Sequence, residues 1–277
     1  MGKTRAMPPI DVSLVVTDLD GTLWHTDDHV PDSVLAAFAE LQRRDVPLLV
    51  ATGRRLGSTV GPLGAHGLSA PVVVLNGALG VLPDGTRFHR ATYPVDEALS
   101  VLDAFVSVDL EPVVYIDHPT FEVVLGPSPS TNPAHARALG PTAHRGDLRT
   151  AVAGGDALGF SLIGVEHTAA VAAEAAIGDR GVTHLDRSLD HPGMVSLTVA
   201  PRQRSKWDGV LAYCEHAGLD PARVLALGDG PNDVELLDGA AVALVPRGSH
   251  PTALRRADHV IGPARDGGWA DVVDHLG

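Results

Sequence analysis

Val12-Ser13-Leu14-Val15-Val16-Thr17-Asp18-Leu19-Asp20-Gly21-Thr22 is the stretch from which the fold is read. A β-branched run ends in two carboxylates separated by one residue, which reads as a buried strand delivering acids to the rim of a sheet. Side chains alternate along a strand, so Asp18 and Asp20 share a face until the chain bends, and Gly21 permits that bend. Two like charges so close repel unless a cation lies between them or they share a proton. A metal or a shared proton is therefore implied.

Outward from this strand the chain alternates strands with helices, the pattern of an α/β domain with a parallel sheet. Pro31 opens a predicted helix in which Val34, Leu35, Phe38 and Leu41 mark one face. The strand Pro47 to Ala51 ends at Thr52-Gly53-Arg54. A Gly-rich, weakly helical stretch follows, then the strand Val72 to Leu75, ending at Asn76-Gly77. Polar residues sit at the C-terminal end of each strand, the edge at which open α/β sheets bind ligands.

From about Pro83 the rhythm changes to an α+β insert. Short strands are expected at Val113 to Ile116, Phe121 to Leu125, Phe160 to Val165 and Val195 to Val199, with an alanine-rich helix over Val165 to Ile177. The first rhythm resumes with a helix from Lys206 to Ala217 and the strand Val224 to Leu227, which runs into Gly228-Asp229-Gly230-Pro231-Asn232-Asp233. A strand at Val242 to Val245 and a helix after His250 close the chain. No internal repeat or low-complexity tract is evident.

At 277 residues two domains are the default expectation. With 44% hydrophobic and 20% charged residues the chain reads as soluble and globular, and with aromatics at 4% its core must be mostly Val, Leu and Ala. A net charge of −13 argues against nucleic acid or an anionic membrane as partner, though not against a small anion held locally. The single cysteine, Cys214, excludes an intrachain disulfide, suits a reducing compartment and reads as a buried hydrophobe on a helix. Met1 to Ser13 carries Lys3 and Arg5 but no apolar segment of a signal peptide, and no run approaches the roughly 18 apolar residues of a membrane span. A cytoplasmic location is expected.

The ordered set Asp18-Leu19-Asp20-Gly21-Thr22-Leu23, Thr52-Gly53-Arg54, Lys206 and Gly228-Asp229-Gly230-Pro231-Asn232-Asp233 resembles the haloacid dehalogenase superfamily of phosphatases. The long insert resembles its Cof-like branch, whose α/β cap is of type IIB. The resemblance implies a Rossmann-like core with a parallel sheet, residues 1–82 and 202–277, and an inserted α+β cap, residues 83–201, that sets specificity. It also implies a hydrolase for a small phosphomonoester, a sugar phosphate or similar metabolite.

Phosphoryl transfer needs an in-line nucleophile, charge neutralisation on the phosphoryl oxygens and a proton donor for the leaving oxygen. Asp18 is the expected nucleophile, forming an aspartyl-phosphate, and Asp20 the general acid and base; the family assigns the same roles. A hard cation with oxygen ligands, best matched by Mg²⁺, is expected. By resemblance its ligands are the Asp18 and Asp229 carboxylates and the Asp20 main-chain carbonyl, with Asp233 a more distant or water-mediated partner. Leu19, Thr52, Gly53, Arg54, Lys206 and Asn232 are the expected phosphate or substrate contacts. Thr52 offers a hydroxyl, Gly53 an N–H with close approach, and Lys206 a compact charge. Lys206 is one of only two lysines beside 19 arginines, which sets it apart from a casual surface residue. Asn76 either touches substrate or fixes its turn.

A phosphomutase would use the same aspartyl-phosphate and return the group to a sugar. A receiver-type or metabolite-binding module is the non-catalytic alternative, and the acid/base at Asp20 argues against it. The 14 His are scattered; His25 and His29 have helical spacing but no zinc-site partners, and read as surface residues. His118, His135, His144 and His191 fall in the expected cap, and nothing in the sequence selects one of them for substrate. Trp24 stands where the family commonly has a second leucine, and is expected to reshape the entrance.

Overall fold

The computed structural model describes residues 11–25, 29–188, 191–202 and 204–277, so Lys3 and Arg5 lie outside it. The chain divides into two compact units, Met1–Thr52 with Val210–Gly277, and Gly53–Gly209. The cap limits expected at 83 and 201 both fall inside the second unit.

In chain order the elements begin β1 (Leu14–Thr17), α1 (Asp32–Arg43), β2 (Leu48–Ala51), α2 (Gly57–Ala65), β3 (Val72–Val74), β4 (Leu79–Val81), β5 (Arg87–Arg90) and α3 (Val95–Ser107). They continue β6 (Val113–Ile116), β7 (Val123–Leu125), α4 (Pro133–Ala138), β8 (Ala143–Arg145), α5 (Leu148–Ala153), β9 (Ala157–Val165), α6 (His167–Ile177), β10 (Val182–Arg187) and β11 (Val195–Ala200). The last are α7 (Lys206–Ala217), β12 (Val224–Leu227), α8 (Val234–Gly239), β13 (Val242–Pro246), α9 (Pro251–Leu254) and β14 (His259–Ile261).

The first unit is a parallel sheet in the order β14-β13-β12-β1-β2. The central strands β1 and β12 are buried along their whole length, which explains why they read as continuous apolar runs rather than as alternating ones. Thr17 pairs in register with Leu227 on one side and Val50 on the other. The residues that follow these three strands therefore emerge at one edge. Helix α1 buries Val34, Ala37, Phe38 and Leu41; Leu35, expected on that face, is only half-buried.

Behind the edge, Trp269 is fully buried, stacks on Phe38 at 4.8 Å between ring centroids, and donates its indole N–H to the Thr17 hydroxyl at 2.8 Å. The Thr17 hydroxyl in turn donates to the Asp18 carbonyl at 2.7 Å, so this aromatic anchor reaches the residue at the sheet rim. Trp269 lies in a run of 3-10 turns, Gly268–His275, which, like β14, the sequence reading did not anticipate.

In the second unit β3, β4 and β5 form an antiparallel meander, and a six-stranded sheet runs β10-β11-β9-β6-β7-β8, antiparallel except for β7 with β8. Helices α3, α5 and α6 pack together with this sheet over a core that includes Phe105, Val114, Phe160, Leu162 and Ile177. The insert is thus α+β, as expected, with β6 at its expected limits. Strand β3 stops one residue short of its expected end because Leu75 and Asn76 both turn to φ 52°. Among the described residues no helix is long and apolar enough to cross a membrane.

Two outcomes are expected from this packing. Trp269→Ala removes a buried aromatic and its bond to Thr17, and should lower unfolding free energy by about 3–5 kcal/mol in urea denaturation. His89, on β5, donates Nε2–H to the Gly77 carbonyl at 3.0 Å. Burial, helped by nearby Arg204, pushes its pKa below the usual 6.5. The folded state therefore holds His89 neutral while the unfolded chain takes up a proton, so its contribution is intact above pH 6.5 and is lost as pH falls below that value. The urea midpoint should drop between pH 7.5 and pH 5.5, and His89→Gln should flatten that dependence.

Candidate active site

Asp18 follows β1 directly, is 5% exposed, and donates its N–H to the Leu227 carbonyl of β12 at 2.9 Å. The paired strands β1 and β12 thus hand Asp18 and the Gly228–Asp233 loop to the same rim. One carboxylate oxygen from each of Asp18, Asp229 and Asp233 lies within 4.8 Å of the others. At that spacing, and an effective dielectric of about 20, each pair of unit charges repels by roughly 3 kcal/mol. The donor set is all carboxylate oxygen, with no nitrogen or sulfur, and fits a hard divalent cation such as Mg²⁺.

The three carboxylates are not equivalent. Asp233 is fully buried, and its Oδ2 accepts from the main-chain N–H of Asp229 at 3.0 Å and of Gly230 at 2.9 Å. It closes the 3-10 turn Pro231–Asp233 and holds the loop that carries Asp229. Asp229 accepts from the Thr22 hydroxyl at 3.2 Å through Oδ1. Gly21 has φ +83°, and a Cβ there would lie 2.4 Å from Asp229 Oδ2, so both its backbone conformation and its lack of a side chain are required.

Asp20 is half-buried beside Asp18, one residue into a turn whose N–H groups at Thr22, Leu23 and Trp24 all converge on the Leu19 carbonyl. The Leu19 side chain is fully buried, so any contribution from Leu19 to a ligand comes from its main chain. Trp24 is not at an entrance. It is fully buried, and its Nε1–H donates to Asp20 Oδ1 at 3.1 Å. The expectation that Trp24 reshapes the entrance is corrected here: Leu19, Leu23 and Trp24 all turn into the core, and the indole N–H donates to Asp20.

Thr52, 1% exposed, follows β2 at the same edge of the sheet, and Asn232 is half-buried on the 3-10 turn. Gly53, Arg54 and Lys206 belong to the second unit. Arg54 donates to the Ser58 carbonyl at 3.1 Å. Its neighbour Arg55 pairs with Glu122 at 3.0 Å, and Glu122 also accepts from the Gly57 N–H at 3.1 Å, so Arg55 is committed to structure.

Lys206 is the first residue of α7 and is fully buried. The Asp208 carboxylate accepts from both the N–H and the hydroxyl of Ser205, at 2.7 and 2.8 Å, which closes that first turn. Gly77, at φ +104°, packs so tightly on this segment that a Cβ would meet the Ser205 carbonyl at 2.0 Å. Asn76 is 6% exposed in the same turn. Among the described residues the one grouping able to hold a metal contains three Asp and no His.

The profile of the haloacid dehalogenase-like hydrolases matches residues 15–133 and 163–273. This chain belongs to that family. The hydrolase is 24% identical to the phosphoglycolate phosphatase of Methanopyrus kandleri over 279 residues, which cover 95% of this chain and 97% of that protein. It is 38% identical to the HMP-PP phosphatase of Shigella flexneri over 89 residues, 32% of this chain and 33% of that protein, a match confined to about a third of either. Among solved structures, a phosphatase of the same superfamily from Bacteroides thetaiotaomicron is similar with a TM-score of 0.76 at 19% identity, over 96% of this chain and 95% of that one. A subclass IIB sugar phosphatase gives 0.73 at 17% identity, over 95% and 98%. These structures share the hydrolase's fold.

Gly21→Ala should displace Asp229 and lower the site's affinity for a divalent cation by about tenfold or more in calorimetric titration, as changes to the groups that orient metal ligands commonly do.

Proposed function

We propose that this enzyme is a Mg²⁺-dependent, cytoplasmic phosphatase that hydrolyses a small phosphomonoester, a sugar phosphate or similar metabolite, through an aspartyl-phosphate on Asp18. The observation that carries the reading is the Asp18, Asp229 and Asp233 cluster at the rim of the parallel sheet, with Asp20 two residues beyond the nucleophile. Three carboxylates gathered at this cost of repulsion are retained where a cation offsets them.

Asp18, Asp229 and the Asp20 carbonyl would hold Mg²⁺, with Asp233 behind them. Bound there, the ion supplies charge neutralisation on a phosphoryl oxygen. The Asp18 carboxylate attacks phosphorus in line, and Asp20 gives its proton to the departing oxygen. Asp20 then takes a proton from the water that attacks the aspartyl-phosphate. Lys206 supplies an ammonium to the phosphoryl group as a compact point charge. The Thr52 hydroxyl, the main-chain N–H groups of Leu19 and Gly53, and the side chains of Asn232 and Arg54 take the remaining phosphate or substrate contacts.

Residues 1–82 and 202–277 form the catalytic core in this reading. Residues 83–201 form the cap that selects substrate, excludes bulk water during transfer and admits one water for dephosphorylation. The named activities of the relatives, on phosphoglycolate, on HMP-PP and on sugar phosphates, support a small phosphorylated metabolite.

The test is phosphate release from 4-nitrophenyl phosphate, 2-phosphoglycolate and a panel of sugar phosphates, with Mg²⁺ or EDTA. Turnover should require Mg²⁺ and should fall by at least about a thousandfold in Asp18→Asn, the order expected when a covalent nucleophile is lost. No release by a folded, Mg²⁺-binding wild type from any of them would point instead to a phosphomutase or a binding module.

A further inference from the structure

The loop that carries Asp20 is closed from both sides. Its main chain is tied by the N–H groups of Thr22, Leu23 and Trp24 on the Leu19 carbonyl, at 3.2, 2.9 and 3.1 Å, and by the Gly21 N–H on the Trp24 carbonyl at 2.9 Å. Its side chains add the Thr22 hydroxyl on Asp229 and the Trp24 indole on Asp20. Trp24 is a rigid, fully buried side chain with one N–H, and a buried indole N–H normally finds an acceptor. That acceptor is Asp20 Oδ1. If filling space were all that the position required, a leucine or phenylalanine would serve; neither brings a donor to this carboxylate.

We infer that Trp24 is a positioning residue for the acid/base carboxylate of Asp20, an inference that rests on the phosphatase reading above. The indole N–H engages Oδ1 and so fixes the rotation of the carboxyl group. Proton transfer is thereby assigned to Oδ2. In the first half-reaction an Asp18 oxygen forms its bond to phosphorus, the bond from phosphorus to the leaving oxygen breaks with its electron pair on that oxygen, and the Oδ2 proton of Asp20 moves to it. In the second half-reaction the water oxygen bonds to phosphorus, one water proton goes to Asp20 Oδ2, and the Asp18 carboxylate departs. Orientation matters most where the leaving group is a basic alkoxide that cannot depart without the proton. It matters little for a nitrophenolate, which leaves readily as the anion.

The test compares kcat/KM of wild type and Trp24→Phe for glycerol 3-phosphate and for 4-nitrophenyl phosphate, since kcat/KM reports the steps through loss of the leaving group. Trp24→Phe should lose about tenfold or more on the alkyl phosphate and less than about threefold on the aryl phosphate. In an Asp20→Asn background it should add no further leaving-group selectivity. Equal losses on both substrates, or no loss on either, would overturn the inference while leaving the phosphatase reading intact, provided that wild type is active and Asp18→Asn is not. A wild type inactive on both substrates overturns the reading and the inference together. A readout that does not depend on Trp24→Phe folding is the assigned Trp24 indole N–H resonance. It should shift in Asp20→Asn, and an unchanged resonance would count against the contact.

Discussion

Mutual repulsion among Asp18, Asp229 and Asp233 is the constraint around which the first unit is organised. Parallel pairing of β1 with β12 forces the first two of these onto one rim, because in-register strands end together. Holding them there requires opposing forces built into the main chain. The N–H groups of Asp229 and Gly230 bind Asp233 and so spread its charge over two peptide dipoles. The Thr22 hydroxyl does the same for Asp229. The remaining charge suits a cation, and the all-oxygen donor set fits a hard one.

The turn from Leu19 to Trp24 sets a further carboxylate, Asp20, beside this electrostatic arrangement. Leu19, Leu23 and Trp24 anchor it in the core, Gly21 lets it pass close to Asp229, and Asp20 is left at its surface with an indole at its back. At the other end of this stretch of chain, Trp269 fixes Thr17 and through it the Asp18 carbonyl. Two tryptophans from distant parts of the chain thus brace residues on either side of Asp18.

The insert was legible only in part. The apolar run Val113–Ile116 was read at its observed limits because all four residues are buried. Strand β10 was not anticipated, since Val182–Arg187 has its two apolar residues, Val182 and Leu185, three apart rather than alternating, and is nowhere fully buried. Strands β4 and β8 are three residues long, too short for a periodic signal. The end of the chain was not anticipated for a different reason: Trp269, Val272, Val273 and Leu276 have helical spacing, but the segment is short, folds as 3-10 turns and takes its place from packing against α1.

Local pattern alone determined the α/β class, the strand-end position of Asp18, Thr52 and Asp229, and the chemistry those residue types share, because burial period and turn glycines are encoded within a few neighbouring residues. Contacts that span the sequence had to be decided by the fold. Thr22 meets Asp229 from 207 positions away, and Thr17 meets Trp269 from 252. The Trp24 indole is the instructive middle case. Only four residues separate it from Asp20, yet its burial, and hence its demand for an acceptor, follows from how the whole unit packs over Leu19 and Leu23. A hydrogen bond is local in sequence, but the desolvation that makes it obligatory is a property of the assembled core.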